Sequence, residues 1–394
     1  MDKEIKDREL APEESFPKEQ IWTYKIDGLT APRIGVTPKN YTLKKILISL
    51  VIVVAVSLSM YFSVQVVKRD AFEFNDLSDG TVELVRFGNP VSCKEIDIDY
   101  YTEIVYTDSN NSMVYEFKKD ESKPVTVIHE FALNCDENIE VINIGADVKQ
   151  IDGKAFYTCK NLKAIYVDDN NEYYCDIDGV LYNKELTEII CYPMEHDQLL
   201  REKYGYKKEV QPEEENYEAY KRDVMTYVLP SSVQKIGKLC FNYSQVKVIY
   251  FPEGLKTVET LAFFKTYTLA EIYSYKGENA TVTDASAIEK MDEIYLSLPE
   301  GLEYIGSDAF AYNYDMSYMF IPDSVTYIGH HAFWETAYKE DGEVKGVSVM
   351  NIALSEESFK KQTETGDQWK SQYDNGAFRK TIGVSYEAQR EEMK

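Results

Sequence analysis

Hydrophobic positions along this chain recur in a fixed spacing, in which an apolar residue is followed three, seven and eight positions later by a second apolar, a small and a bulky residue. The pattern occurs six times, as Val125/Ile128/Ala132/Leu133, Val148/Ile151/Ala155/Phe156, Val233/Ile236/Cys240/Phe241, Leu255/Val258/Ala262/Phe263, Leu302/Ile305/Ala309/Phe310 and Val325/Ile328/Ala332/Phe333. Central residues lie 23 apart from Ile128 to Ile151, 22 from Ile236 to Val258 and 23 from Ile305 to Ile328, and glycine follows three of them (Gly237, Gly306, Gly329). Each unit also carries a strand-like run: Val141–Ile144, Ala164–Val167, Thr226–Leu229, Val248–Phe251, Tyr295–Leu298 and Tyr318–Ile321. Pro230, Pro252, Pro299 and Pro322 close four of these, and proline stops a strand because it offers no amide donor. One strand per period of about 23 residues predicts a β-rich solenoid. A lone coil cannot bury its apolar face, so stacking neighbours about 4.8 Å apart is what builds the core.

Two gaps interrupt the period. Val258 to Ile305 is 47 residues, which leaves room for one degenerate coil near Val282 to Ala287. Ile151 to Ile236 is 85, so an insertion is expected over 168–224. Its first part reads as a hairpin, with Asp178-Gly179 as a two-residue turn between Ile177 and Val180 and a further strand from Thr187 to Tyr192. Its second part, Asp197 to Asp223, is charged and divided by Pro212 into two helices. A solvated protrusion is expected there, with a partner-binding arm as the alternative.

A different pattern precedes the repeats. Ile46 to Val67 is an uncharged, mostly apolar run bracketed by Lys44-Lys45 and Lys68-Arg69. A helix of these 22 residues would span roughly 33 Å, enough for a hydrocarbon core of about 30 Å. Arg33, Lys39, Lys44 and Lys45 make the leading flank the more basic one, which retains it in the cytoplasm. The expected organisation is a cytoplasmic disordered tail (1–45), a single transmembrane helix (46–67), a linker and N-terminal cap (68–123), the solenoid (124–334) and a C-terminal cap (335–394). The cap is expected to contain strands at Val347–Leu354 and Thr381–Tyr386 around a helix that starts after Ser355.

The runs Ile305-Gly306-Ser307-Asp308-Ala309-Phe310, Ile321-Pro322-Asp323-Ser324-Val325-Thr326-Tyr327-Ile328-Gly329 and Lys154-Ala155-Phe156-Tyr157-Thr158-Cys159 resemble the BspA-like leucine-rich repeats of bacterial surface proteins. So does Asp178-Gly179-Val180-Leu181-Tyr182-Asn183-Lys184. The resemblance covers roughly 124–334. It implies a leucine-rich repeat ectodomain that adheres to host, matrix or other cells without catalysis, and it carries no fixed set of functional residues.

Charge sharpens the picture. Residues 70–394 hold 32 basic and 60 acidic residues, a net charge of −28 that repels nucleic acid. The chain is 44% hydrophobic and 13% aromatic, which argues for a folded ectodomain. Six cysteines lie after the apolar run, with no zinc or redox spacing. Cys240 takes a small-residue position and is expected to be buried. Disulfides Cys135–Cys159 and Cys175–Cys191 remain open alternatives. The four histidines are scattered, no nucleophile elbow or phosphate loop is present, and Asp168-Asp169-Asn170-Asn171-Glu172 lacks the spacing of a calcium loop, so neither enzyme chemistry, cofactor nor metal is expected.

Candidate binding residues come from the strands. Period-two alternation places Tyr166, Val228, Val248, Tyr250, Tyr295, Tyr318 and Phe320 outward, on a strip that carries no charge. Two readings stand side by side. The strip is an interface core, or aromatic and β-branched residues are present because they favour strands and the insertion folds over them. The function expected is a single-pass cell-surface protein whose strand face binds an extracellular protein or glycan. The alternative is a transmembrane sensor whose tail engages a cytoplasmic partner.

Overall fold

Parallel stacking of short strands lays equivalent side chains over one another in successive coils, and alternation sends every second one into the core. The computed structural model describes residues 72–88, 92–109, 112–133, 138–278, 283–316 and 318–334, and the backbone of four short strands beyond them. In the first part, β1 (Phe72–Asp76) runs antiparallel to β2 (Val82–Phe87), followed by β3 (Glu95–Ile98) and a long hairpin of β4 (Tyr100–Ser109) and β5 (Ser112–Ile128). Next come β6 (Val141–Ile144), β7 (Gln150–Ile151) and β8 (Ala164–Val167). Two parallel ladders result. Leu84, Ile128 and Ile151 are aligned along β2, β5 and β7, and Ile96, Ile142 and Ile165 along β3, β6 and β8. β2 and β3 are rungs themselves, so the ladders begin upstream of Val125.

A hairpin follows, β9 (Tyr174–Ile177) and β10 (Val180–Asn183), with β11 (Glu188–Cys191) after it. Asp178 and Gly179 have φ of 52° and 83°, the two positive values that a two-residue turn of this hand needs. Val180, Leu181 and Tyr182 are all fully buried, and alternation divides them between two cores. Val180, Tyr182 and Ile189 join the core of the second part, while Leu181, Ile190 and Cys191 join that of the first. The hairpin is therefore a partition wall, and β11 is the first rung of the next ladder.

That ladder aligns Ile189 with Ile236, Val258, Ile305 and Ile328 on β11, β13 (Lys235–Ile236), β15 (Thr257–Val258), β18 (Tyr304–Ile305) and β20 (Tyr327–Ile328). Opposite it stand β12 (Thr226–Val228), β14 (Val248–Pro252) and β16 (Glu271–Lys276), all parallel. β17 (Glu293–Tyr295) then returns antiparallel to β16. Two expectations are corrected here. No degenerate coil lies near Val282, because β15 and β18 bond to each other directly, and Val282 itself is outside the described residues. The parallel strand of that unit is Glu271–Lys276, not Tyr295–Leu298. Beyond β19 (Tyr318–Ile321), β21 (Tyr338–Glu340) and β22 (Glu343–Lys345) pair with each other, and β23 (Asn351–Leu354) and β24 (Val384–Ser385) continue the parallel stack on β19.

Twenty-three of the 24 residues in the repeat sets are buried, Ile151 being half-buried. Phe241, Phe263, Phe310 and Phe333 stack face to face through the core, their centroids 4.8, 5.2 and 5.4 Å apart. Gly306 and Gly329 show why glycine follows the central residue. A Cβ there would lie 2.3 Å from the amide nitrogens of Thr260 and Ser307 in the preceding coil.

The charged insert does not protrude as a bare solvated arm. Helices α1 (His196–Tyr204) and α2 (Tyr217–Val224) share a small core of Leu200, Val210, Tyr220, Val224 and Met225. They are tied down by Lys203 to Asp178 (2.9 Å), Tyr204 to Asp284 (2.9 Å) and Lys221 to Glu271 (2.7 Å). Cys240 is buried as expected, and Cys175 and Cys191 carry free thiols. The partition explains the missing Cys175–Cys191 bond, since Cys175 packs on the second core and Cys191 in the first. Among the described residues no helix is long and apolar enough to cross a membrane. The tail, the 46–67 segment, Cys135 and the helix expected after Ser355 lie outside them.

Candidate ligand-binding face

Whether an outward strand residue meets solvent depends on what the neighbouring segments do, and the two parts of the chain differ. In the first part the outward positions are Glu95 and Asp97 on β3, Asn143 on β6 and Tyr166 on β8. Asn143 donates to Glu95 and Asp97, both at 2.8 Å. Lys119 of the β4–β5 hairpin reaches over to Asp97 at 2.9 Å and Asp99 at 2.7 Å. Burial pushes the Asp97 carboxyl up, but the bonds from Lys119 and Asn143 outweigh it and hold it below the usual range. Tyr166 is 40% exposed, and burial with the carboxylates of Asp176 and Asp178 raises its phenol. Asp97, Asp99, Asn143 and Tyr166 line, with Asp147 and Asp168, an open cleft of about 370 Å³. The strip is thus uncharged at β6 and β8 but acidic at β3, a rung that the repeat pattern does not reveal.

In the second part the face is covered only in part. A 3₁₀ turn (Ala285–Lys290) brings Ala287, Ile288 and Met291 onto Val228, Tyr250 and Tyr275, and the Val228 amide donates to the Thr283 carbonyl at 2.8 Å. Val228, Val248, Tyr295 and Phe320 are buried, so four of the seven expected contact residues present no surface to a ligand. Tyr250 and Tyr318 are half-buried. Tyr250 stacks on Tyr273 at 5.0 Å, and burial, with Glu271 beside it, pushes its phenol up to about 12. Tyr273 donates to Glu271, which Lys221 of α2 also holds. Sequence reasoning missed Tyr273 together with its strand. The signal was present, since strands begin seven or eight residues after Leu133, Phe156, Phe241 and Phe310, and Glu271 is eight after Phe263.

Asn171 belongs to the acidic run read as surface charge, yet it is buried. Its side chain accepts from the Tyr173 and Tyr174 amides and donates to the Gly145 and Val148 carbonyls. Among the described residues no His, Cys, Asp and Glu side chains are grouped to hold a metal ion.

The model of the BspA-type leucine-rich repeat region matches residues 86–193 and 215–339 in six copies, more than half of the chain. The chain belongs to the BspA-type leucine-rich repeat family. No curated protein matches it. Among solved structures, this BspA-type protein is similar to a leucine-rich repeat protein from Eubacterium ventriosum (18% identity, 55% of this chain and 42% of that one, TM-score 0.34). It is also similar to the pneumococcal vaccine antigen PcpA (15% identity, 69% and 64%, TM-score 0.34). A leucine-rich cell surface protein from Faecalibacterium prausnitzii matches at 15% identity over 82% and 94% of the chains, with a TM-score of 0.26. The BspA-type chain spans less than two thirds of the length of the first two.

Proposed function

We propose that this BspA-type protein is a single-pass membrane protein with a cytoplasmic N-terminus, whose extracellular solenoid binds a protein or glycan on a host, a matrix or another cell. It acts by binding rather than by catalysis. The observation that carries the reading is the open part of the strand face, where Tyr166 stands over a cleft of about 370 Å³ and the Tyr250–Tyr273 stack stays half-exposed on an ectodomain of charge −28. Exposed aromatic side chains are rigid anchors for an interface, because little rotamer freedom is lost when they are covered. The test is saturable binding of the full chain in mild detergent to mucin, matrix-protein and cell surfaces, beside a Tyr166→Glu/Tyr250→Glu variant with an unchanged melting temperature. Loss of binding in the variant supports the strand face, and undiminished binding removes it. A cellular response that needs residues 1–30 while binding does not would favour a sensor over an adhesin.

A further inference from the structure

A second surface lies on the turns of the second part, away from the strand face. Tyr243, Lys265 and Tyr312 hold the same place in three successive coils, each two residues after a buried phenylalanine. All three have left-handed backbone, with φ of 57°, 58° and 64°. Glycine or asparagine would sit there with least strain. Their amides donate to the carbonyls of Phe264, Ala311 and Trp334 in the next coil. Glycine would supply those bonds equally well. Those backbone bonds leave the side chains free to pack on one another across the three coils.

They display a cation set in rings. The Lys265 ammonium lies 5.4 Å from the Tyr243 ring centroid, 5.2 Å from Phe264 and 5.6 Å from Tyr312, and it donates to the Tyr243 hydroxyl at 3.0 Å. Tyr267, 38% exposed, stacks on Tyr314 at 5.1 Å, and Phe264 meets Tyr312 edge-on at 5.4 Å. The rings hold one another in place, so little order has to be imposed on binding. Among the described residues the groups that face the Lys265 charge are phenols rather than carboxylates, and Asp315, whose amide donates to the Tyr267 carbonyl, is paired with Lys247. A cation with no anion beside it among the described residues, in an ectodomain with 60 acidic residues, is complementary to an anion from outside.

We infer that this ridge binds a glycan bearing isolated carboxylates, with sugar ring faces lying on Tyr267 and Tyr314 and a sugar carboxylate on Lys265. C–H groups of a sugar face suit an aromatic ring, and the tyrosine hydroxyls meet the sugar hydroxyls. One cation accommodates a sparse negative charge, and the surrounding acidic surface repels a densely sulfated chain. The inference rests on the extracellular binding role proposed above, and it names a different face and a ligand class.

The experiment is titration of the full chain in mild detergent with three oligosaccharides of equal length: unsulfated hyaluronan, neutral chito-oligosaccharide and heparin. The expected result is at least tenfold tighter binding of hyaluronan than of the other two. Lys265→Gln should remove the preference over the neutral sugar, and Tyr267→Ala/Tyr314→Ala should weaken both by tenfold or more. Lys265→Gly, which relieves the left-handed strain, should fold normally and bind like Lys265→Gln. Equal affinity for all three sugars, or affinities that none of these variants changes, overturns the ridge. Binding to mucin that survives deglycosylation and the ridge variants would overturn it too while leaving the broader binding role intact, whereas no binding to mucin or sugars would count against both.

Discussion

At the scale of single residues, the coils depend on backbone conformations that their amino acids do not advertise. Phe131, Leu239, Leu261, Asp308 and His331, each just before the small core residue, have φ between 54° and 63°, the left-handed region that normally favours glycine. No glycine marks these turns, so the sequence pattern could not place them. The same scale shows an electrostatic opposition on α1. Burial lowers His196 to about 4, with its Nδ1 bonded to the Lys163 carbonyl, and raises Asp197 to about 6 despite Arg201 at 3.0 Å. Between pH 4 and 6 the folded state holds fewer protons than the unfolded chain at His196 and more at Asp197. Stability therefore rises with pH through the first group and falls through the second, each by up to about 1.4 kcal/mol per pH unit, so the two cancel. Asp197→Asn should leave a helical arm that gains stability from pH 4 to 6 relative to the parent. His196→Gln should leave one that loses it. Hydrogen exchange of residues 196–224 at pH 4.5 and 6.5 reads both, and parallel pH profiles in the two variants would refute the opposition.

At the scale of elements, the decisive piece is the hairpin of β9 and β10 with β11. Two cores meet at one strand, and side-chain alternation alone assigns Leu181 to one and Tyr182 to the other. Leu181→Ala should cost about 2–5 kcal/mol and loosen the first part before the second, seen as earlier exchange of β6 amides than of β14 amides. Simultaneous loosening would show that the wall does not insulate. Within the second part, Phe263 lies between Phe241 and Phe310 at 4.8 and 5.2 Å, so Phe263→Ala should cost about 3–5 kcal/mol in denaturant melts. Gly329→Ala adds a methyl 2.3 Å from the Ser307 amide nitrogen, and coils so closely apposed cannot part without breaking the Gly329 to Ile305 bond of 2.8 Å. A loss of about 1–3 kcal/mol is expected; an unchanged midpoint would show that the ladder has slack.

At the scale of the whole molecule, the question is which surfaces remain open. The segment around Ala287 lies over Val228 and Tyr250, so Ala287→Asp, which puts a charge against Val228 and Tyr275, should lift that cover. Exchange of the Val228 amide, bonded to Thr283, should quicken while the Phe251 core stays protected. Protection of both would show that the cover is held by other contacts. The repeat sets were legible because burial in a stacked coil demands the same residue type at the same spacing every time, and 23 of those 24 residues are indeed buried. The hairpin was legible from Asp178-Gly179, since few other pairs tolerate two positive φ values in succession. The candidate site was legible only in part. Tyr166, Tyr250 and Tyr318 reach the surface, whereas Val228, Val248, Tyr295 and Phe320 do not. Local alternation fixes which way a side chain points from its strand, so the sequence by itself determined the core of the six repeat sets and the outward residues of β6, β8, β12, β14 and β19. It carries no term for a segment that crosses from elsewhere, so only the tertiary structure decided that the 3₁₀ turn covers Val228 and packs on Tyr250, that the stack divides at the hairpin, and that Tyr243, Lys265 and Tyr312 converge from three coils.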